Sequence, residues 1–198
     1  MLRQSGGGVN AHLFLFLFRN QFQLATEDAI YSDGDRYLPA IAVADHLRTF
    51  LPSVKRVLML GSGIGSMVNV LHSKGYNPHF TLVEKDKVVL QWAMELFEPE
   101  EHTSIEPVCI DALAYMEQNT EKYDLIFVDI FNSREVPDFV TSERFLDLCR
   151  YSLMPEGHFA VNYIINYKPD WDNVKQLFTK LFPEHHEIAI DINRILVV

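Results

Sequence analysis

The segment VLMLGSGIGSMVNVL, residues 57–71, constrains this chain more than any other. An apolar run ends at Gly61, Gly63 and Gly65, on alternate positions, and an apolar, helix-like segment follows. Glycines let the backbone turn sharply and approach a ligand closely, and the helix behind them offers free N–H groups, so such a loop suits a nucleotide. A nicotinamide-type loop would place its third glycine at position 66, where this chain has Ser66; the spacing is G-x-G-x-G. Glycines between a strand and a helix also serve packing, so the loop alone leaves both readings open. Ile64 stands in its middle, where a polar contact is expected.

From this loop onward, strand-like and helix-like segments alternate. Strands are expected at 56–60, 79–84, 104–110, 123–130 and 157–165, and helices at 64–74, 87–97, 112–118, 142–153 and 172–182. Two last strands, 187–190 and 194–198, are joined by DIN as a hairpin. Upstream, a helix is expected over 39–50 and a strand-like start over 13–31 with a turn at SDGD. The alternation predicts a parallel sheet with helices on both faces and one antiparallel edge strand from the hairpin. Ligands of such sheets bind outside the carboxyl ends of the strands, which is where chemistry is sought.

Acidic residues stand at those ends. Glu84 closes the second strand, 19 residues past Gly65, where a carboxylate accepts from ribose hydroxyls. Asp86 reads as the N-cap of the next helix. Asp111 follows the third strand; it can accept from an adenine amino group, with the Ala112 N–H donating to a ring nitrogen, and it can also cap the next helix. Asp129 follows the apolar run 125–128 directly and could orient an amine and take its proton. Each of these acids has a plainer reading as a solvated strand end or a cap.

The totals narrow the partners. Acids outnumber bases 27 to 17, a formal net charge of -10, which repels phosphate backbones and argues against nucleic acid. AHLFLFLF at 11–18 is too short to span a bilayer and is followed by Arg19-Asn20-Gln21 rather than a cleavage site, so it is read as a strand and not as a membrane or export signal. Its apolar residues on both faces suggest burial against a second subunit, hence a homodimer, and SGGGVN before it reads as a flexible lead-in. Cys109 and Cys149 fit no metal or redox spacing and read as core thiols of a cytoplasmic protein. His185-His186 lacks a third ligand, so no metal is expected. Trp92 and Phe97 read as packing, and Trp171 as partly exposed.

Taken together these residues resemble the class I S-adenosylmethionine-dependent methyltransferases, and more closely their spermidine synthase (aminopropyltransferase) branch. The resemblance covers about residues 37–165 and is most specific from YDLIFVDIF through FVTSERFLDLCRYSLMPEGHFAVN, where a leucine-x-proline-x-glycine turn precedes the fifth strand. It implies an α/β, Rossmann-like class I methyltransferase fold: a mostly parallel seven-stranded sheet, an antiparallel C-terminal hairpin and a short N-terminal β segment, divided as residues 1–36 and 37–198. It further implies that Gly61, Gly63 and Gly65 line S-adenosylmethionine or its decarboxylated form, that Glu84 holds ribose, and that Asp111 and Ala112 hold adenine. Asp129 would sit beside the reacting amine as the catalytic residue, with Tyr37 and Asn132 at substrate positions.

The chain departs from the branch at its cation anchors. Ile64 replaces the loop aspartate, Asn132 replaces the second aspartate of the fourth strand-end motif, and Tyr37-Leu38-Pro39 lacks the glutamate of a tyrosine-x-glutamate pair. An acid usual in methyltransferases two residues before the first glycine is Met59 here, as is common in the spermidine synthase branch. A buried ammonium deprived of its carboxylate loses on the order of 3 kcal/mol. The expectation is therefore methyl transfer to a small substrate. The alternatives are an aminopropyltransferase with altered anchors and a non-catalytic module that binds an adenosyl ligand.

Overall fold

The computed structural model describes residues 1–5, 12–27 and 29–198. The lead-in read from SGGGVN lies, apart from Ser5, outside the described residues. The main sheet is built from β5 (Arg56–Leu60), β6 (His79–Glu84), β7 (Ile105–Cys109), β8 (Tyr123–Val128), β9 (Leu153–Ile164), β10 (His186–Ile190) and β11 (Asn193–Val197). These seven strands lie in the order β10-β11-β9-β8-β5-β6-β7. The five strands β9-β8-β5-β6-β7 run parallel, and β11 is antiparallel to both of its neighbours.

The reversed strand is not the edge. β11 lies one place in, between β9 and β10, and β10 forms the edge. Side-chain burial explains the order: Ile195, Leu196 and Val197 are all buried, whereas His186, Glu187 and Ala189 of β10 are exposed. The link between the two strands is only Asp191-Ile192, with Asp191 in the left-handed region (φ 50°) that a two-residue hairpin demands.

Two apolar layers sandwich the sheet because alternate residues of a strand face opposite sides. Val57 and Met59 of β5 point to one layer and Leu58 and Leu60 to the other. The first layer packs on α1 (Leu38–His46), α2 (Ser66–Ser73) and α3 (Lys87–Leu96); the second packs on α4 (Ala112–Gln118), α5 (Glu143–Tyr151) and α6 (Lys168–Leu181). Trp171, expected partly exposed, is 7% exposed because α6 begins earlier than the spacing suggested and lays the indole against Tyr163. Cys149 is buried as a core thiol, but Cys109 is exposed, since it ends the edge strand β7.

The N-terminal residues form their own antiparallel sheet: β1 (Arg3–Ser5), β2 (Leu13–Phe18), β3 (Gln21–Ala25) and β4 (Ile30–Ser32). Arg19 and Asn20, both at positive φ (51° and 62°), make the two-residue turn between β2 and β3. Leu13, Leu15 and Leu24 join the first apolar layer, while Leu17 and Phe18 stay exposed. No helix of the described residues is long and apolar enough to cross a membrane.

β9 carries an irregularity where the leucine-x-proline-x-glycine turn was expected. Tyr123 pairs with Leu153 but Leu125 pairs with His158, so the chain bulges between them, with Glu156 at φ 64°. The bulge resets the register so that β9 runs on alongside β8 to the ligand end of the sheet.

Gly61 is where the fold is tightest. Its φ is +80°, and a Cβ there would sit 2.4 Å from the Asp129 carbonyl oxygen. Gly75 has the same backbone demand (φ +83°) with open space around it. Gly75→Ala is expected to cost only left-handed strain, about 1–2 kcal/mol. Gly61→Ala adds a backbone clash and is expected to cost at least about 1 kcal/mol more by chemical denaturation. Equal costs at the two positions would contradict the close packing of loop and strand.

Candidate active site

The carboxyl ends of β5, β6, β7 and β8 open onto one cleft. Gly61, Gly63, Glu84, Asp111, Ala112 and Asp129 all line it, together with Tyr31 and Lys85. The three acids at separate strand ends thus share a single rim. Gly65, Tyr37 and Asn132 are not among the lining residues.

The glycine loop is built by its neighbours. The Gly61 N–H donates to the Val83 carbonyl (3.0 Å), tying the loop to β6. Ser32 reaches in from β4: its Oγ accepts from the Ile64 N–H at 3.0 Å and would be 2.3 Å from a Cβ at Gly63. Ser66 Oγ in turn accepts from the Asp33 N–H at 3.1 Å. Gly65 approaches Phe97, whose ring lies 2.3 Å from where its Cβ would be. The third glycine therefore serves helix packing rather than the cleft. Ile64 answers the question its position raises. It is 3% exposed, its side chain joins the first apolar layer, and it does not face the cleft.

Glu84 uses both oxygens to brace the rim. Oε2 accepts from the Gly63 N–H (3.3 Å) and Oε1 from the Asp86 N–H (3.0 Å). Burial pushes its pKa up, and these two N–H donors pull it back. Asp86 caps α3 through the Val88 N–H, as expected. Asp111 caps α4, accepting from the Leu113 and Ala114 N–H groups at 2.9 and 3.2 Å, while its exposed side chain stays on the cleft wall. Its two readings are compatible.

Asp129 is held by two side-chain donors on one oxygen. Tyr37 Oη donates to its Oδ1 at 3.2 Å, and Asn162 Nδ2 donates to the same oxygen at 2.8 Å. Among the described residues Oδ2 has no partner. Burial raises its pKa from the ordinary 3.8 to about 7, even though both donors favour the charged form. Burial and the adjacent carboxyl push the Tyr37 hydroxyl well above its usual value, so it remains a donor. Tyr37 stands just ahead of α1, which delivers it to the end of β8.

Asn162 was not singled out from the sequence, though a signal exists: an amide interrupts the apolar run FAVNYI of β9. It is 0% exposed and its own oxygen accepts from Asn193 Nδ2 at 2.8 Å. Asn132 lies at the mouth, where Lys85 Nζ donates to its Oδ1 at 2.6 Å. The Ser133 N–H donates to Tyr31 Oη at 2.6 Å and Asn166 Nδ2 to the Arg134 carbonyl at 2.7 Å, pinning the same turn from two further elements.

Residues 42–192 match the spermine/spermidine synthase domain. The chain belongs to that family. A polyamine aminopropyltransferase of Vibrio vulnificus is 27% identical over 159 residues, 78% of this chain and 52% of that protein. The chain thus spans about half the length of that relative. Among solved structures, a probable spermidine synthase from Corynebacterium glutamicum superimposes with a TM-score of 0.83 at 18% identity, covering 100% of this chain and 79% of that one. A spermidine synthase in complex with the transition state analogue AdoDATO gives 0.74 at 17% identity, over 99% of this chain and 72% of that one. These structures share the family's fold.

Family membership overturns the expectation of methyl transfer, which rested on the altered anchors. The matched domain and the Vibrio relative carry names for polyamine synthesis and aminopropyl transfer. One anchor also fails on physical grounds: Ile64 turns into the core, so its apolar side chain says nothing about charge in the cleft.

The raised pKa of Asp129 makes a stability prediction. Between the unfolded value near 3.8 and the folded value of about 7, the native state keeps a proton that the unfolded state has lost. The stability from this group is complete below the lower value and gone above the upper one. Asp129→Asn keeps the acceptor for Tyr37 and Asn162 without the buried charge. It is expected to stabilise the fold by a few kcal/mol at pH 8, at ~1.4 kcal/mol for each pH unit between the folded and unfolded values, and by little at pH 4. Denaturant melts at the two pH values check this; no gain at pH 8 would contradict the burial of a charge.

Proposed function

We propose that the cleft carries out aminopropyl transfer, with decarboxylated S-adenosylmethionine as donor and a small amine as acceptor. The observation that carries this reading is Asp129: one oxygen is held by two donors, the other has no partner among the described residues, and the residue shares a rim with Glu84 and Asp111. In this reading Glu84 accepts from the donor's ribose, Asp111 and the Ala112 N–H meet its adenine, and Gly61 and Gly63 let the sulfonium come close. Residues 37–198 supply donor site and base, and residues 1–36 cover one side through Tyr31.

The donor is already activated, so the protein mainly supplies alignment and a base. The acceptor nitrogen attacks the aminopropyl methylene carbon bonded to sulfur. A C–N bond forms, the C–S bond breaks with its electron pair going to sulfur, and a neutral thioether leaves. Asp129 Oδ2 takes the proton shed by nitrogen. A carboxyl poised at about 7 suits this task near neutral pH better than an ordinary aspartate, which would be too weak a base. Asn132 adds no charge at the turn after β8, so the acceptor's cationic end relies on Asp129. The exposed Leu17, Phe18 and Phe22 of the N-terminal sheet support self-association of two copies.

The test is calorimetric titration with decarboxylated S-adenosylmethionine and with S-adenosylmethionine, followed by assay of methylthioadenosine release with a diamine. Tighter binding of the decarboxylated donor is expected, with kcat/KM rising through about pH 7 as Asp129 ionises. Asp129→Asn is expected to lose roughly 10²–10⁴-fold in kcat while donor affinity stays within a few fold. Failure to bind the decarboxylated donor, or full turnover by the variant, would overturn the proposal.

A further inference from the structure

The amide that meets Asp129 is itself met by a second amide. Asn162 sits inside β9 at 0% exposure, and Asn193 is the first residue of β11. Asn162 pairs across the strands with Ile195, so Asn193, two residues away, lies on the same face of the sheet and reaches Asn162 diagonally. Asn193 Nδ2 donates to Asn162 Oδ1 at 2.8 Å, and Asn162 Nδ2 donates to Asp129 Oδ1 at 2.8 Å.

A primary amide has a direction: its NH2 only donates and its oxygen only accepts. Two amides in series therefore run one of two ways. In the way seen here both NH2 groups point toward Asp129, which suits a carboxylate. With both amides turned over, Asn162 offers its oxygen to Asp129 and its NH2 to the Asn193 oxygen, which requires Asp129 to carry a proton. We propose that Asn193 is a positioning residue for Asp129: the end of its amide that faces Asn162 sets the end of Asn162 that faces the carboxyl. The inference rests on the reading of Asp129 as the base and extends that reading to the far hairpin. Because Asn193 can present either end, the pair serves Asp129 before and after it takes a proton. Among the described residues, titratable or charged groups near these amides include Tyr37 at the start of α1, Glu84, Lys85 and Asp111 on the cleft, and Asp191 in the hairpin turn; beside Asn193, Arg194 is paired with Glu187 at 3.4 Å.

Asn193→Asp tests this, since it nearly preserves shape but leaves only an acceptor. It draws the Asn162 NH2 to itself and turns the Asn162 oxygen toward Asp129. The Asp129 carboxyl is followed by carbon-13 NMR in labelled protein and assigned by its loss in Asp129→Asn. Its titration midpoint is expected to rise by about one pH unit or more. Asn193→Ala, which imposes no direction, is expected to move it less. In an Asn162→Leu background most of the Asn193→Asp shift should vanish, leaving the direct effect of the added charge. No shift, or an equal shift with and without Asn162, would overturn the proposal. Thermal melts of each variant establish that it is folded before titration. The titration needs no turnover, so a protein without aminopropyl transfer would still report on Asn193. In an active protein the acid limb of kcat/KM moves with the midpoint, which a purely structural role for Asn193 would not produce.

Discussion

The carboxyl of Asp129 is pulled two ways, and the site depends on the balance. Burial at the end of a parallel sheet disfavours its charge, while Tyr37 and Asn162 favour it by donating to one oxygen. Neither pull alone gives a useful group. A solvated aspartate would be ionised but too weak a base, and a buried one without donors would stay protonated. The two donors come from different parts of the chain: Tyr37 from the start of α1 and Asn162 from β9, with Asn193 of the final hairpin donating to Asn162 behind it.

The same region is held together by backbone contacts that leave no room for side chains. Gly61 rests against the Asp129 carbonyl, and the Asp129 N–H donates to the Leu60 carbonyl at 2.8 Å. Glu84 clasps the Gly63 N–H from the next strand, and Ser32 fills the space on the other side of Gly63. The N-terminal sheet is therefore part of the loop's architecture. Three acids converge because three strand ends, one loop and β4 are packed to within hydrogen-bonding distance of one another.

Much of this was legible in the sequence. The alternation of apolar strands and amphipathic helices predicted the sheet, and the acids at or just past each strand end predicted its rim. The cap at Asp111 was legible because a strand followed by Asp and a helix is also an N-cap. Other features depend on which way a side chain points, and one-dimensional spacing does not carry that. Ile64 looked like a missing charge, yet the left-handed turn at Gly63 and Gly65 sends it into the core. Asn162 looked like part of a turn-and-strand motif, and its partner Asn193 looked like a hairpin residue. Their meeting depends on strand order, which places β11 inside β10. That order follows from the burial of Ile195, Leu196 and Val197, a difference between two short apolar strands that is too small to read from their composition.

A single claim underlies the functional reading: the nucleoside pocket and the base meet at Asp129. A crystal structure of the protein with methylthioadenosine tests it most directly. The sugar hydroxyls should lie on Glu84, the purine beside Asp111 and Ala112, and the sulfur should face Asp129. A nucleoside bound elsewhere, or bound in the cleft with its sulfur turned away from Asp129, would contradict it.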